Sequence, residues 1–449
     1  MKLSLSIVLL VSWCCVLSRA QPAGSGAGAL PESDPMVKSW TAPVFPPTVP
    51  KTVRNGSARI RIIVDATGTV TAARVVKASA PAFGEAALAA VRRWRFSPGV
   101  VDGKYAATCL DVPVRFSRGG KPHGGLLPPA DMMPQRARRT YATLDDAPLG
   151  DYPAALVGRG LPGTVVFRCD VDADGKASNL RIVQASHVDF VLPSFESFPT
   201  WKFHPAMEGD LKVPTEMEGE VTYSDTNIPP RDQVLAANGI TAPDGSNPDA
   251  APQPIAMADP VFPHDLLLKG EGGSASVDFT VQPNGAVTDV QVHAATNPEF
   301  GAALVAAVET WAFSPAMVRG QGATVQLRKH QEFKAVPLNA TEDADGWTQL
   351  VVRARKKEIL GGRGIDGRLI PLYRVAPVLP GDAQDGEKGS AVIDFVIDRD
   401  GRARLPWIVS ASRPAYGWSA ATAVSQWVFK APTRDGKPTD VSVRIPIQF

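Results

Sequence analysis

Apolar and polar residues alternate in the same way at four places along the chain. Counting from Gly56, every second position is apolar: Ala58, Ile60, Ile62 and Val64. The same offsets hold Val165, Phe167, Cys169 and Val171 after Gly163, and Ala275, Val277, Phe279 and Val281 after Gly273. After Gly389 they hold Ala391, Ile393, Phe395 and Ile397, and the positions between carry mainly Ser, Thr, Arg and Asp. A period of two predicts a strand with one covered face. Turn residues follow each run (Asp65 to Gly68, Asp172 to Gly175, Gln282 to Gly285, Asp398 to Gly401), where Asp and Asn bond nearby backbone and Gly accepts a positive φ. A second strand comes next, around Val75, Ile182, Val292 and Ile408, so each pair predicts a hairpin. The period then lengthens. Phe83, Ala87, Ala90, Val91 and Trp94 form one helical stripe, repeated by Phe300 to Trp311 and by Tyr416 to Trp427. In the second copy Pro193 and Pro199 interrupt this segment, which predicts a short or distorted helix. A third alternating strand ends each copy.

The copies share fixed landmarks. Trp-x-Phe occurs at Trp94, Trp201, Trp311 and Trp427, each 26 residues after a turn glycine and 22 before an aromatic (Phe116, Tyr223, Phe333, Phe449). Each turn glycine follows another glycine by 12 residues, so blocks 56–116, 163–223, 273–333 and 389–449 align without a gap. A Pro-containing lead-in precedes each block: Phe45-Pro46, Tyr152-Pro153, Phe262-Pro263 and Leu379-Pro380. The expected fold is α+β, four tandem β-β-α-β modules, each a small three-stranded antiparallel sheet covered by one helix. The modules span 42–118, 145–225, 255–335 and 368–449, joined by linkers 119–144, 226–254 and 336–367. The second linker is rich in Pro, Ala, Asp and Gly and reads as a flexible spacer. In the third, alternation from Leu350 to Leu360 suggests an added strand. In the third strands, offsets from Trp place Cys109 on the solvent face, whereas Cys169 falls in the core, which argues against a disulfide between them. Pro113 and Pro446 cannot donate to a ladder and so suggest an edge or an outward-facing amide.

Composition narrows the function. Lys plus Arg number 47 and Asp plus Glu 45, a balance that speaks against a strongly basic nucleic-acid binder. Charge differs between copies: the first block nets +5, the second −5, the third −2 and the fourth +3. The first two could therefore attract one another or steer different partners. Residues 1–20 read as a secretory signal, with Lys2, an apolar run from Leu3 to Leu17, and Ser18-Arg19-Ala20 at the cleavage site. Export is expected, with an uncleaved membrane anchor as the alternative. A lipoprotein reading of Cys14 is opposed by Trp13, which stands where a small residue is wanted.

Catalytic signatures are not found. Asp170-x-Asp172-x-Asp174-Gly175 copies the start of a calcium loop, but Arg181 stands where the bidentate Glu belongs. Gly362-x-Gly364-x-x-Gly367 lacks a surrounding βαβ unit. No His or carboxylate recurs at one place in all four blocks, so neither an enzyme nor a metal or other cofactor is expected.

The lead-in with its aromatic-Pro pair, the alternating strand, the Asp-x-x-Gly turn, the helix and Trp-x-Phe-x-Pro together resemble the TonB C-terminal domain family. Arg93-Trp94-Arg95-Phe96-Ser97-Pro98-Gly99 is the closest piece. The fourth block departs with Ala431 in place of the proline. The resemblance implies a periplasmic module that binds envelope or outer-membrane protein segments by adding a partner strand to a sheet edge. It makes the third strands (108–116, 215–223, 325–333, 441–449) docking candidates, with Arg115, Thr222, Glu332 and Arg444 upon them. The lead-ins Phe45, Pro46, Tyr152, Pro153, Phe262 and Pro263 are candidates too, unless their aromatics simply cap the core. Family members that transmit force carry a His-bearing membrane anchor and a long Pro-rich spacer. Residues 1–20 contain no His, and only residues 21–42 separate them from the lead-in of the first copy, which speaks against that role. A membrane-anchored energy transducer and an envelope scaffold or enzyme accessory stand as the alternatives.

Overall fold

Each alternating run forms a strand, and each pairs with its return strand in antiparallel register. The computed structural model describes residues 30–101, 103–118, 127–243, 248–341, 345–384 and 386–449. The fold is mixed α+β, with small antiparallel sheets and, among the described residues, seven α-helices. The four opening strands are Asn55–Val64, Gly163–Val171, Gly273–Val281 and Ser390–Ile397. Their return strands are Val70–Ala78, Ala177–Ala185, Val287–Ala295 and Ala403–Ala411. Closing strands Thr108–Ser117, Thr215–Tyr223, Val325–Phe333 and Val441–Gln448 pair on the other side of the opening strand.

The landmark residues hold these pieces together. The turn glycines Gly68, Gly175, Gly285 and Gly401 have φ of 82 to 91°. Their tight approach lets the Trp-x-Phe segment cross the turn. Phe96, Phe313 and Phe429 donate backbone N–H to the carbonyls of Gly68, Gly285 and Gly401 at 2.9, 3.1 and 2.7 Å. The earlier glycines serve space, not conformation. A Cβ on Gly56 would lie 2.3 Å from the Phe83 ring, and one on Gly389 2.2 Å from Tyr416. The Trp indoles anchor the lead-ins: Trp94, Trp311 and Trp427 donate to the carbonyls of Thr41, Ala258 and Val375 at 3.1, 2.9 and 2.9 Å. In the second copy Trp201 donates instead to Ser197 Oγ, at 3.2 Å.

Helices Pro81–Val91, Pro298–Val308 and Pro414–Ser425 each begin with proline in the first turn, where its missing N–H costs nothing. The second copy has only Val191–Ser197, flanked by 3₁₀ turns at Val188–Phe190 and Phe198–Thr200, as the two prolines predict. Beyond the expected elements, every copy pairs a short lead-in strand with its Trp-x-Phe segment and adds a small hairpin before the closing strand.

Two compact units divide the chain. The first comprises residues up to Thr140 together with Met207–Lys212. Its core gathers Ile60, Ile62, Val64, Phe83, Trp94 and Val112. Here Cys109 corrects the sequence reading: it is fully buried, not exposed. Segment 207–212 covers the face on which it lies. Gly209 comes so near that an added Cβ would meet Sγ at 2.7 Å, and Asp210 pairs with both Arg61 and Arg74. Periodicity within one strand does not report a cover brought by a remote hairpin.

The second unit comprises Tyr141–Ala206 and Val213–Phe449. Cys169 lies in its main core, as expected from its offset. Burial pushes the Cys109 thiol up, and the Cys169 thiol to about 11. With Cys14 and Cys15 replaced by serine, both thiols are expected to react with a disulfide reagent about 100-fold more slowly in the folded chain than in denaturant. Timed absorbance with and without urea checks this; rapid native labelling of Cys109 would contradict the cover described.

The linkers are structured where they are described. The second holds a helical turn at Val234–Ala237 and strands Ile240–Thr241 and Gln253–Ala256, which differs from a flexible spacer. In the third, Leu350 and its neighbours lie in a helix, Gly346–Arg355, not a strand. Asp345 caps it by accepting from Thr348 N–H at 3.0 Å, and Leu350, Val351 and Val352 are all buried. Among the described residues of this linker, only Leu360–Gly361 is extended and paired.

Candidate functional site

The sheet edges differ more than the repeats do. In the first, third and fourth copies the sheet has four strands rather than the expected three, in the order return, opening, closing, linker. Gln135–Arg136 pairs with Leu110 and Asp111, and Ile240–Thr241 with Arg328 and Lys329, both antiparallel. Leu360–Gly361 pairs parallel to Val441 and Ser442. Among the described residues, only in the second copy does the closing strand end the sheet.

Main-chain bonds show how fully the edges are used. In the first copy, Cys109 N–H donates to Glu208 Oε1 at 3.0 Å, and Cys109 C=O accepts from Ala137 at 2.8 Å. Arg136 holds the other oxygen of that buried carboxylate at 2.9 Å. Arg115 N–H meets Met132 Sδ at 3.2 Å. In the third copy His330 N–H donates to Gly239 C=O at 2.9 Å. Lys329 Nζ braces the neighbouring Asn238 carbonyl at 2.8 Å, and burial, with Arg159 adding to it, pulls this amine down to about 8. These bonds fix which amides face outward: Cys109, Arg115 and His330 in their copies. By the shared register Pro113 and Pro446 take the outward position equivalent to His330, where they offer no donor.

At the equivalent positions the second copy has Glu216, Glu218, Glu220 and Thr222. Among the described residues, no main-chain bond meets their outward amides. All four side chains are exposed. A cleft of about 430 Å³ opens at the end of this strand, lined by Tyr152, Val157, Thr222, Tyr223 and the 147–151 segment.

The predicted residues separate accordingly. Thr222 lies on the uncovered edge, and Tyr152 lines the cleft beside it. Tyr152 is itself buried, with its ring 5.0 Å from Phe190, and its hydroxyl donates to Leu161 C=O at 2.7 Å; burial pushes it up to about 12. Pro153 follows it, half-buried. Phe45 meets Phe83 and Phe116 edge-on at 5.3 and 6.4 Å, and Phe262 meets Phe300 and Phe333 at 5.6 Å, so both cap cores. Pro46 and Pro263 are buried beside them. Arg115 is exposed and pairs with Asp131, Glu332 is exposed on a strand whose edge is partly taken, and Arg444 pairs with Asp394 at 2.6 Å.

That last pair belongs to a series that sequence reading missed. Arg61–Asp111, Arg168–Glu218, Asp278–Arg328 and Asp394–Arg444 are each 50 residues apart and join opening to closing strand. The sign reverses between the first two copies and the last two, which hid the recurrence. A search for opposite charges at constant separation would have found it.

The family model described as the Gram-negative bacterial TonB protein C-terminal matches residues 41–117, 149–224, 258–335 and 376–449. The chain belongs to this family. Four matches cover most of its length in tandem, one for each copy seen in the structure. Among curated proteins, none matches the chain. Membership in the TonB C-terminal family carries a periplasmic or envelope setting, with envelope proteins as the interacting class. No helix among the described residues is long and apolar enough to cross a membrane, and residues 1–20 lie outside the described part.

Proposed function

We propose that this is an exported, non-catalytic periplasmic protein of four tandem β-β-α-β modules, whose sheet edges bind extended segments of envelope proteins in support of outer-membrane transport. The observation that carries this reading is the uncovered closing strand of the second copy, Thr215–Tyr223. A strand added there would gain main-chain bonds from four outward positions, and its side chains would reach the cleft beside Tyr152. Short linker strands on the other three edges support a division of labour: those copies build the body, and the second receives the partner.

Site-specific photo-crosslinking in the full chain tests this. A crosslinker at Thr222 should capture envelope protein in intact cells, while one at Arg115, whose amide is already engaged, should capture at least about fivefold less. Equal capture at both positions, or none at Thr222, would overturn the assignment to this edge.

A further inference from the structure

The side chains along the free edge narrow the partner further. Glu216, Glu218 and Glu220 follow one another at alternate positions, so their carboxylates lie on one face of the sheet, about 7 Å apart along the strand. Two have cations on the same sheet: Arg181 pairs with Glu216, and Arg168 with Glu218 at 2.7 Å. Glu220 has no ion pair among the described residues, and Val166 stands opposite it. No other closing strand is acidic in this way. The equivalent positions read Cys109, Asp111, Pro113 in the first copy, Gln326, Arg328, His330 in the third and Ser442, Arg444, Pro446 in the fourth. The second block also carries the largest negative balance, 5 basic against 10 acidic residues.

Like charges spaced along one strand repel, and a neighbouring strand is the nearest place for their counter-charges. An added strand sets its side chains about 5 Å from those of the edge, on the same face. We infer that the segment received by the second copy is an extended stretch of an envelope protein with Lys or Arg at alternate positions. This rests on the strand-addition reading above and adds the chemistry of the partner. The rival role for the same glutamates is to repel stray strands from an open edge, which also uses charge but predicts no ligand.

The test uses the full chain and two labelled peptides, one alternating valine with lysine and the other valine with glutamate, read by fluorescence anisotropy and by hydrogen exchange at residues 216–222. The lysine peptide should bind at least about tenfold more tightly than the glutamate peptide, lose affinity as salt rises, and protect the outward amides. Glu220→Pro removes one outward donor at the register where Pro113 and Pro446 already stand, so the strand should tolerate it; binding should fall by about tenfold or more. Glu220→Gln keeps that donor and should lose only about two- to threefold. The triple variant Glu216→Lys, Glu218→Lys, Glu220→Lys leaves the backbone unchanged and should reverse the peptide preference. If both peptides bind equally and protect the amides, strand addition stands and the basic partner is wrong. If neither protects them, the strand-addition reading itself falls. If Glu220→Pro and Glu220→Gln lose the same affinity, the attraction is between side chains alone and the inference is overturned.

Discussion

Gly285→Ala should destabilise the second unit by about 3–5 kcal/mol, among the largest effects of any single methyl group in this chain. Two penalties coincide there. Gly285 has φ +82°, a conformation that costs a non-glycine residue roughly 1–2 kcal/mol. Its added Cβ would also lie 1.8 Å from the Phe313 carbonyl oxygen. That oxygen belongs to the segment whose N–H is bonded to the glycine's own carbonyl, so neither strand can retreat without breaking the contact. Gly320 is the matched control. Its φ is +76°, yet nothing lies within 4 Å of the position its Cβ would take, so Gly320→Ala should cost only the conformational part, about 1 kcal/mol. Urea unfolding of the two variants against the parent checks the difference. Equal losses would mean that crossing the turn is not what requires glycine at this landmark.

Asp189→Ala should cost about 2–4 kcal/mol in the same measurement, because it leaves a buried guanidinium without its partner. Arg402 is 8% exposed, its guanidinium bonds Asp189 through one terminal nitrogen, and its Nε has no hydrogen-bond partner among the described residues. Burial pulls the guanidinium down from its ordinary value; Arg404 adds to this, and Asp189 opposes it. Both residues lie within the second unit, one from the second copy and one from the turn of the fourth. Replacing both, with Asp189→Ala and Arg402→Met, should recover at least about half of the loss, since no charge is then left buried alone. A double variant as unstable as the summed single changes would show that the pair is not coupled.

The two variants probe different kinds of information. Gly285 could be found from the sequence, since it recurs at a fixed distance from Trp-x-Phe, and the structure adds only what the methyl group would strike. The Asp189–Arg402 pair spans 213 positions and occurs once, so no period points to it. The same contrast runs through the candidate site. The closing strands were legible because their alternation is local, but which of them remains free depends on where three two-residue linker strands land. Such strands are too short to carry a hydrophobic period. The lead-in aromatics show the limit in another form: Phe45 and Phe262 read equally well as docking or core residues until Phe83, Phe116, Phe300 and Phe333 are seen around them. Cys109 was misplaced for a related reason, as its cover comes from residues about a hundred positions away.

By itself the sequence determined the number of copies, the strand and helix faces, the turns and the distortion of the second helix, because period, proline and glycine act within a few residues of where they stand. Tertiary structure alone decided which edges are filled, which thiol is covered and which charges meet, because each depends on a segment distant in the chain whose own composition says nothing of where it will pair.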